Sequence, residues 1–136
     1  MSTTQNLAYS AIQVVHNFGA VATVGGSLAA LKFRDADSRK GLVRLVLAGL
    51  GIQTVSGAAF GAVSYFFYHR FPDIAGIAVV ALEIKILCVI IGFLLLATYL
   101  FRGDDWTVAK TSIILIASSA LAVSALSAAA FLRWFS

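Results

Sequence analysis

Four long apolar runs, each with little or no charge, constrain this chain more than any other feature. Each run is at least as long as the ~20 residues that an α-helix needs to cross ~30 Å of hydrocarbon. Because lipid offers no hydrogen bonds to the backbone, spanning segments of this kind are expected to be helical. The runs predict transmembrane helices at residues 7–31, 42–68, 74–101 and 106–131.

The connections between the runs are short, which predicts how the helices are arranged. They comprise residues 32–41, 69–73 and 102–105, and Pro72 marks the second break. Helices joined by short links are antiparallel neighbours. The chain is therefore predicted to be one all-α domain over residues 1–136, an integral membrane four-helix bundle with up-down-up-down topology.

The composition agrees with a membrane protein, since 60% of the residues are hydrophobic and 12% are charged. Soluble domains have about a quarter charged residues. The net charge of +4 resides mainly at the ends of the apolar runs, so we attribute it to membrane topology and expect no nucleic-acid binding. Residues 1–6 contain no Lys or Arg, so we expect the first run to remain as a helix rather than act as a cleaved signal peptide.

The distribution of Lys and Arg predicts the orientation in the membrane. Seven of them lie around the first and third links and two lie on the opposite side. The positive-inside rule then places both termini outside, which is the periplasm if the protein lies in the inner (cytoplasmic) membrane of a bacterium. The seven are Lys32, Arg34, Arg39, Lys40, Arg44, Arg102 and Lys110, and the two are Arg70 and Arg133.

Three ionisable residues lie inside the apolar runs, where such groups are costly and usually functional. His16 is nine residues after Leu7, and Glu83 is nine residues after Ile74. At ~1.5 Å per residue, both are predicted to lie roughly 13 Å below the outer face, with Lys85 one step deeper. We therefore expect any functional layer between the first and third helices.

Glu83 and Lys85 are two residues apart, so their side chains point roughly 200° apart on a helix. One of them is expected to face the core, and the other a neighbouring subunit, a bound ligand or a water-filled gap. We take Glu83 as a candidate contact with a partner protein. The alternative is that one of the two side chains extends along the helix to the membrane surface.

Two histidines are candidate metal ligands. His16 shares one helix face with Gly19, Thr23 and Gly26, and a flat cofactor could lie along that face with His16 as axial ligand. The alternative is an imidazole hydrogen-bonded to Asn, Ser or Glu inside the bundle. His69, at the outer end of the second run, is either a second metal ligand or an ordinary interfacial residue.

The second run contains a GxxxG pattern at Gly57 and Gly61. Small residues at this spacing allow two transmembrane helices to approach closely. The pattern indicates ordinary packing inside the bundle, or else contact with a cofactor or a partner subunit.

Several segments resemble a known group of membrane proteins. The stretch from His16 to the Gly25–Gly26 pair resembles the H-x8-G-G signature of the copper-resistance protein D (CopD) type. The Gln-Thr-Val-Ser-Gly sequence at residues 53–57 resembles its second span, and Leu-Glu-Ile-Lys at residues 82–85 resembles its third. The resemblance covers about three of the four helices and implies a redox or copper context.

A second, weaker resemblance is to the four-helix, haem-binding protoporphyrinogen oxidases of bacteria. In that group a histidine of the first span is taken as a haem ligand and a lysine of the third as a propionate partner. Those roles would fall here on His16 and Lys85. Together with Gly19 and Gly26, they form the predicted cofactor site, for haem b or copper, with no cofactor as an equal alternative.

Soluble-enzyme motifs such as the Walker loop, GxSxG, CxxC and HExxH are not found. The preferred hypothesis is a small membrane subunit or accessory protein of a redox- or metal-linked assembly, not a catalyst on its own. One alternative is a cofactor-free structural subunit that packs against a larger membrane complex. Another is a membrane enzyme acting on a porphyrin or quinone. The expected partners are the lipid bilayer and either other membrane subunits or further copies of the chain.

Overall fold

A computed structural model describes residues 3–70 and 72–135, and within these residues the chain forms four long α-helices and no strand. Every one of the four is long and apolar enough to cross a membrane. The predictions of an all-α fold and of a multi-pass membrane protein are therefore confirmed. The helices are α1 (Thr3–Lys32), α2 (Ala36–Tyr68), α3 (Ile77–Arg102) and α4 (Val108–Phe135).

Helix α2 begins six residues before its apolar run does. Its first turn is polar, and it starts at Ala36 because the Asp35 carboxylate accepts a hydrogen bond from the Ser38 backbone N–H at 2.9 Å. The hydrogen bonds from Ser38, side chain first and then backbone, hold the pKa of the Asp35 carboxyl below its usual range. Hydrophobicity predicts which part of a helix lies in lipid, whereas the capping residue determines the residue at which the helix begins.

The connection between α2 and α3 is set by two residues with positive φ. His69 ends α2 with φ of 53°, and its N–H donates to the carbonyl oxygen of Tyr65 at 2.8 Å. Gly76 has φ of 56° and delays the start of α3 to Ile77, three residues after the predicted start. Apolar residues of the connection were therefore wrongly included in the predicted third helix.

The helices pair as two hairpins. Helix α1 packs mainly along α2, and α3 packs mainly along α4, while α1–α4 and α2–α3 contacts join one hairpin to the other. Helices α1 and α3 consequently lie at opposite corners of the bundle, and their outer faces point in opposite directions.

The two ends of the bundle differ in their connections and in their cores. We call the half that contains the α1–α2 and α3–α4 connections the turn half, and the half that contains both chain ends and the α2–α3 connection the terminal half. The main hydrophobic cluster belongs to the turn half and consists of Ala30, Val43, Val46, Leu50, Leu96, Tyr99 and Leu115. The buried residues of the terminal half are small or polar and include Gln5, Ser56, Ser64, Ala78, Ala81 and Ala128.

Glycines bring α1 and α2 into close contact where the two halves meet. A Cβ atom on Gly19 would lie 2.8 Å from Cγ2 of Ile52, and one on Gly49 would lie 2.6 Å from Oγ1 of Thr23. Both distances are shorter than any ordinary packing contact, so the two backbones approach closely only because these residues have no side chain.

Candidate functional site

The centre of the candidate site is a contact between His16 on α1 and Lys85 on α3. The Lys85 Nζ atom lies 3.3 Å from Nε2 of His16, and both side chains are half-buried. Since α1 and α3 occupy opposite corners, this contact crosses the middle of the bundle. The structure thus brings together the two residues on which the predicted cofactor site depended.

Ser56 on α2 completes a hydrogen-bonded chain and fixes its direction. The Ser56 Oγ lies 2.7 Å from Nδ1 of His16 and 2.5 Å from the carbonyl oxygen of Ile52. A carbonyl oxygen can only accept a hydrogen bond, so the Ser56 hydroxyl donates to the Ile52 carbonyl. The Ser56 oxygen therefore accepts a hydrogen bond from Nδ1–H of His16. The Nε2 atom is then the acceptor of the neutral ring, and Lys85 is the donor.

Two further residues of α2 hold His16 in place. The side-chain amide of Gln53 donates to the backbone carbonyl of His16 at 2.8 Å, and the ring of Phe60 meets the imidazole edge-on at 5.8 Å between centroids. Neither Ser56 nor Phe60 was predicted as a site residue. The available signal was the spacing, because Gln53, Ser56 and Phe60 are separated by three and four residues and so share one face of α2.

Lys85 has more donors than partners. A lysine ammonium has three N–H groups, and His16 accepts one of them. Among the described residues, no carboxylate pairs with Lys85. The ion pair that these residues do form, between Lys40 and Asp104, lies at the turn end of the bundle. A cation inside a membrane normally requires an anion or polar partner. The remaining donors of Lys85 are therefore the chemically available feature of this site.

Glu83 does not take part in the layer that its depth suggested. Its side chain is exposed on the outer face of α3, while Lys85 points inwards to His16. This agrees with the roughly 200° between residues two positions apart on a helix. Among the described residues, nothing forms a hydrogen bond or ion pair with Glu83, so its carboxyl group faces the surroundings of the bundle.

The predicted groove along Gly19 and Gly26 is closed. A Cβ on Gly19 would meet Ile52, and a Cβ on Gly26 would lie 2.9 Å from Cγ2 of Val46, so α2 already fills this face. Both ring nitrogens of His16 are also engaged. The residues present therefore do not fit a haem that lies against these glycines, and the prediction of a cofactor groove at Gly19 and Gly26 is corrected to helix–helix packing.

His69 is far from His16. His16 is level with Ser56, and His69 follows Ser56 by thirteen residues, which is about 20 Å along the helix. The two imidazoles therefore do not share one metal ion in this arrangement. Cys88 is buried and free. The described residues contain no group of three or more His, Cys, Asp or Glu side chains placed to hold a metal ion.

The GxxxG pattern faces outwards at Gly57. No atom lies within 4 Å of a Cβ built on Gly57, which is exposed, while Gly61 is half-buried. Packing inside the bundle is therefore not the role of Gly57, and Gly49 provides the close approach of α2 to α1 instead. The alternative of contact with a partner stays a prediction.

With the fold and site described, the chain can be compared with known proteins. It matches no protein-family model, no curated protein and no solved structure.

Proposed function

We propose that the chain is a small membrane subunit or accessory protein of a redox-linked membrane assembly. In this proposal Lys85, positioned by its contact with His16, holds an acidic oxygen of an apolar, membrane-soluble redox ligand. The main supporting observation is a lysine inside a membrane-spanning helix whose described contacts include an imidazole but no carboxylate. An anionic or strongly accepting oxygen from a ligand would satisfy the remaining Lys85 donors.

The surroundings of Lys85 are compatible with this role. One turn before and after it on α3 are Ala81 and Cys88, both buried and both small. Because both neighbours are small, no bulky side chain one turn away on this face of α3 covers the Lys85 ammonium. The resemblance to haem-binding protoporphyrinogen oxidases, in which the lysine contacts a carboxylate of the porphyrin, is consistent with the same assignment.

The hydrogen-bonded chain also provides a proton acceptor. Ser56 and Lys85 lie at opposite nitrogens of the His16 ring, so the imidazole can take up a proton at Nε2 and become an imidazolium whose Nδ1–H stays hydrogen-bonded to Ser56. Quinone and porphyrin chemistry moves protons together with electrons. We therefore assign His16 the role of proton acceptor next to the ligand and Lys85 the role of binding it, whether the ligand is a quinone or a porphyrin of the haem b type.

A metal bound directly by His16 is the weaker form of the proposal. A copper or haem iron on Nε2 would have to displace Lys85, and no second ligand from the described residues lies nearby. The ligand's oxygen atoms, rather than a metal–imidazole bond, are therefore taken as the contact with the protein.

The test is the composition of the protein purified in mild detergent. We expect about one redox-active ligand per chain, detected by absorption spectroscopy, metal analysis and quinone extraction. K85R should retain the ligand because it keeps a cation, whereas K85M should bind at least tenfold less ligand per chain. The proposal fails if the native protein has no chromophore, metal or quinone, and if added haem b and a ubiquinone analogue bind wild type and K85M equally.

The proposed location is the inner membrane of a bacterium, with both termini in the periplasm. All seven basic residues predicted to be inside belong to the turn half or its connections, and two lie at the terminal end. Alkaline phosphatase fused to the C-terminus should be active, and a fusion after Arg34 should be inactive. The reverse pattern would invert the topology and place the His16 layer nearer the cytoplasm.

A cofactor-free structural subunit is the second candidate. Two observations favour it: the His16 nitrogens are both satisfied within the chain, and Glu83 faces outwards. Under this candidate, the double variant H16F/K85M keeps its association with the assembly, while E83L loses it. Under the redox proposal, the first of these variants loses the ligand.

A further inference from the structure

Two polar features on the outer surface of the bundle have no function in the proposed ligand site. One is Glu83 on α3. The other is a pair on α1, in which the Gln13 side-chain amide donates to Oδ1 of Asn17 at 2.7 Å. Both features are on membrane-spanning helices, and Asn17 and Glu83 are exposed. Polar groups that face lipid at this position are costly unless another protein covers them.

The hydrogen-bonding chemistry of the two features is complementary. A carboxylate only accepts hydrogen bonds. In the α1 pair, the Asn17 oxygen is already used, while its amide NH₂ has no hydrogen-bond partner among the described residues. Gln13 keeps one N–H as well. The α1 pair therefore offers donors where Glu83 offers acceptors.

The two features also lie at a similar depth. The contact between the His16 and Lys85 side chains places these two residues within about one helical turn of the same level. Glu83 is two residues, about 3 Å, from Lys85 towards the terminal end. Gln13 is about 4.5 Å from His16 in the same direction, and Asn17 is about 1.5 Å in the other. The level of Glu83 is thus close to those of the two amides.

The features are on different sides of the molecule, since α1 and α3 are diagonal in the bundle and Asn17 projects about 100° away from the inward-facing His16. Copies inserted in the same direction are related by rotation about the membrane normal, which preserves depth. The α1 pair of one copy can then meet Glu83 of the next copy at a similar depth. A contact between two different surfaces is head-to-tail, and it closes into a ring when the rotation permits.

We propose that a second copy of this chain covers Glu83, with Asn17 and Gln13 of one copy donating to the Glu83 carboxylate of the next. The contact is independent of the ligand proposed for Lys85, because Glu83 and Lys85 project from opposite sides of α3. The occupant is identified by three properties: donor against acceptor, similar depth, and different outer faces.

Cysteine cross-linking in liposomes tests this contact. In a C88A background, which removes the natural thiol, chains with N17C and chains with E83C are given different tags and reconstituted together. We expect the disulfide-linked dimer of one N17C chain and one E83C chain to form in at least tenfold greater amount than the N17C–N17C or the E83C–E83C dimer. A chain with both substitutions should give a ladder of cross-linked oligomers.

The matched control is L87C, which lies on the same outer face of α3 one turn deeper and is 57% exposed. Paired with N17C, it should cross-link at least fivefold less than E83C does. The proposal is overturned if the chains are monomeric at the same lipid-to-protein ratio, or if E83C cross-links only to E83C, which would indicate a two-fold dimer or a different partner.

Substitutions of Glu83 complete the test without relying on cysteine. E83Q keeps an acceptor oxygen and should retain the oligomer, whereas E83L should reduce the oligomeric fraction at least tenfold. K85M should leave cross-linking unchanged. Failure of this contact and failure of the ligand proposal are therefore distinguishable, because each responds to a different residue.

Discussion

Leu96, Val43 and Val46 are the largest fully buried side chains among the residues that the structure describes, and all three belong to the turn half. At buried positions of the terminal half stand side chains such as Gln5, Ser56 and Ala81. The same four helices therefore enclose large apolar side chains at one end, together with Ser and Thr side chains such as Ser27 and Ser119, and only short or polar side chains at the other.

This difference separates stability from function. Transmembrane helices associate mainly through close packing and hydrogen bonds, because lipid is as apolar as leucine. The turn half, with its large interlocking side chains, is expected to provide most of the packing energy. The terminal half forms fewer such contacts and contains the His16–Lys85 pair, so substitutions there are expected to cost less stability than truncations in the apolar core of the turn half.

The largest expected effect is in the turn half. L96A removes a side chain that is 2% exposed and leaves a cavity that lipid cannot reach. We expect a loss of about 2–3 kcal/mol in the free energy of unfolding, at the low end for such truncations because transfer to lipid contributes little. Unfolding in mixed detergent measures it. L87A, at a lipid-exposed position, should change stability by less than about 0.5 kcal/mol, and equal effects would remove the distinction between core and lipid face.

The second prediction concerns the contact between α1 and α2 where the halves meet. In G49A, the new Cβ would lie 2.9 Å from the backbone oxygen of Gly19 and from the backbone nitrogen of Thr23. Backbone atoms cannot rotate away, so the helices must separate, at a cost of about 1–3 kcal/mol.

G57A is the matched control for G49A. No atom lies within 4 Å of a Cβ at Gly57, so G57A should be neutral or stabilise the protein by up to about 1 kcal/mol through helix propensity. Thermal unfolding of both variants decides the point. If G57A were the more damaging, the outward face of Gly57 would be an interface.

The sequence predicted the number, type and approximate limits of the helices, because long apolar runs leave few other structures possible in lipid. Helix ends were less predictable: the cap at Asp35 and the positive φ of Gly76 act locally and do not depend on hydrophobicity. Depth counting placed His16, Glu83 and Lys85 within one turn of one another. It could not say which of the two α3 residues faces His16, since that depends on helix rotation.

The third prediction sharpens the comparison within the terminal half. K85M leaves Nε2 of His16 without a donor and should cost about 1–2 kcal/mol, because an unpaired polar group in an apolar setting is unfavourable. H16F similarly leaves Lys85 unpaired. The double variant H16F/K85M removes both partners and should return to within about 1 kcal/mol of wild type.

A double-mutant cycle on the ligand-free protein measures this coupling between His16 and Lys85. Additive losses, with the double variant as unstable as the sum of the single ones, would mean that each residue contributes through separate contacts. The pair would then be part of the structural core, and the contrast between the halves would be weaker than the burial pattern indicates.

The smallest effect is expected for the ion pair at the turn end. Lys40 Nζ lies 2.8 Å from Oδ2 of Asp104 and joins α2 to the connection between α3 and α4, but the Asp104 side chain is 74% exposed. A cycle of K40A and D104A should give a coupling of about 0.2–1 kcal/mol that fades at 1 M salt, where the screening length is about 3 Å. A coupling that is several times larger and insensitive to salt would mean that the turn half is held together by charge. Its buried Leu, Val and Tyr side chains would then be a consequence of that contact rather than the cause of the stability predicted for L96A.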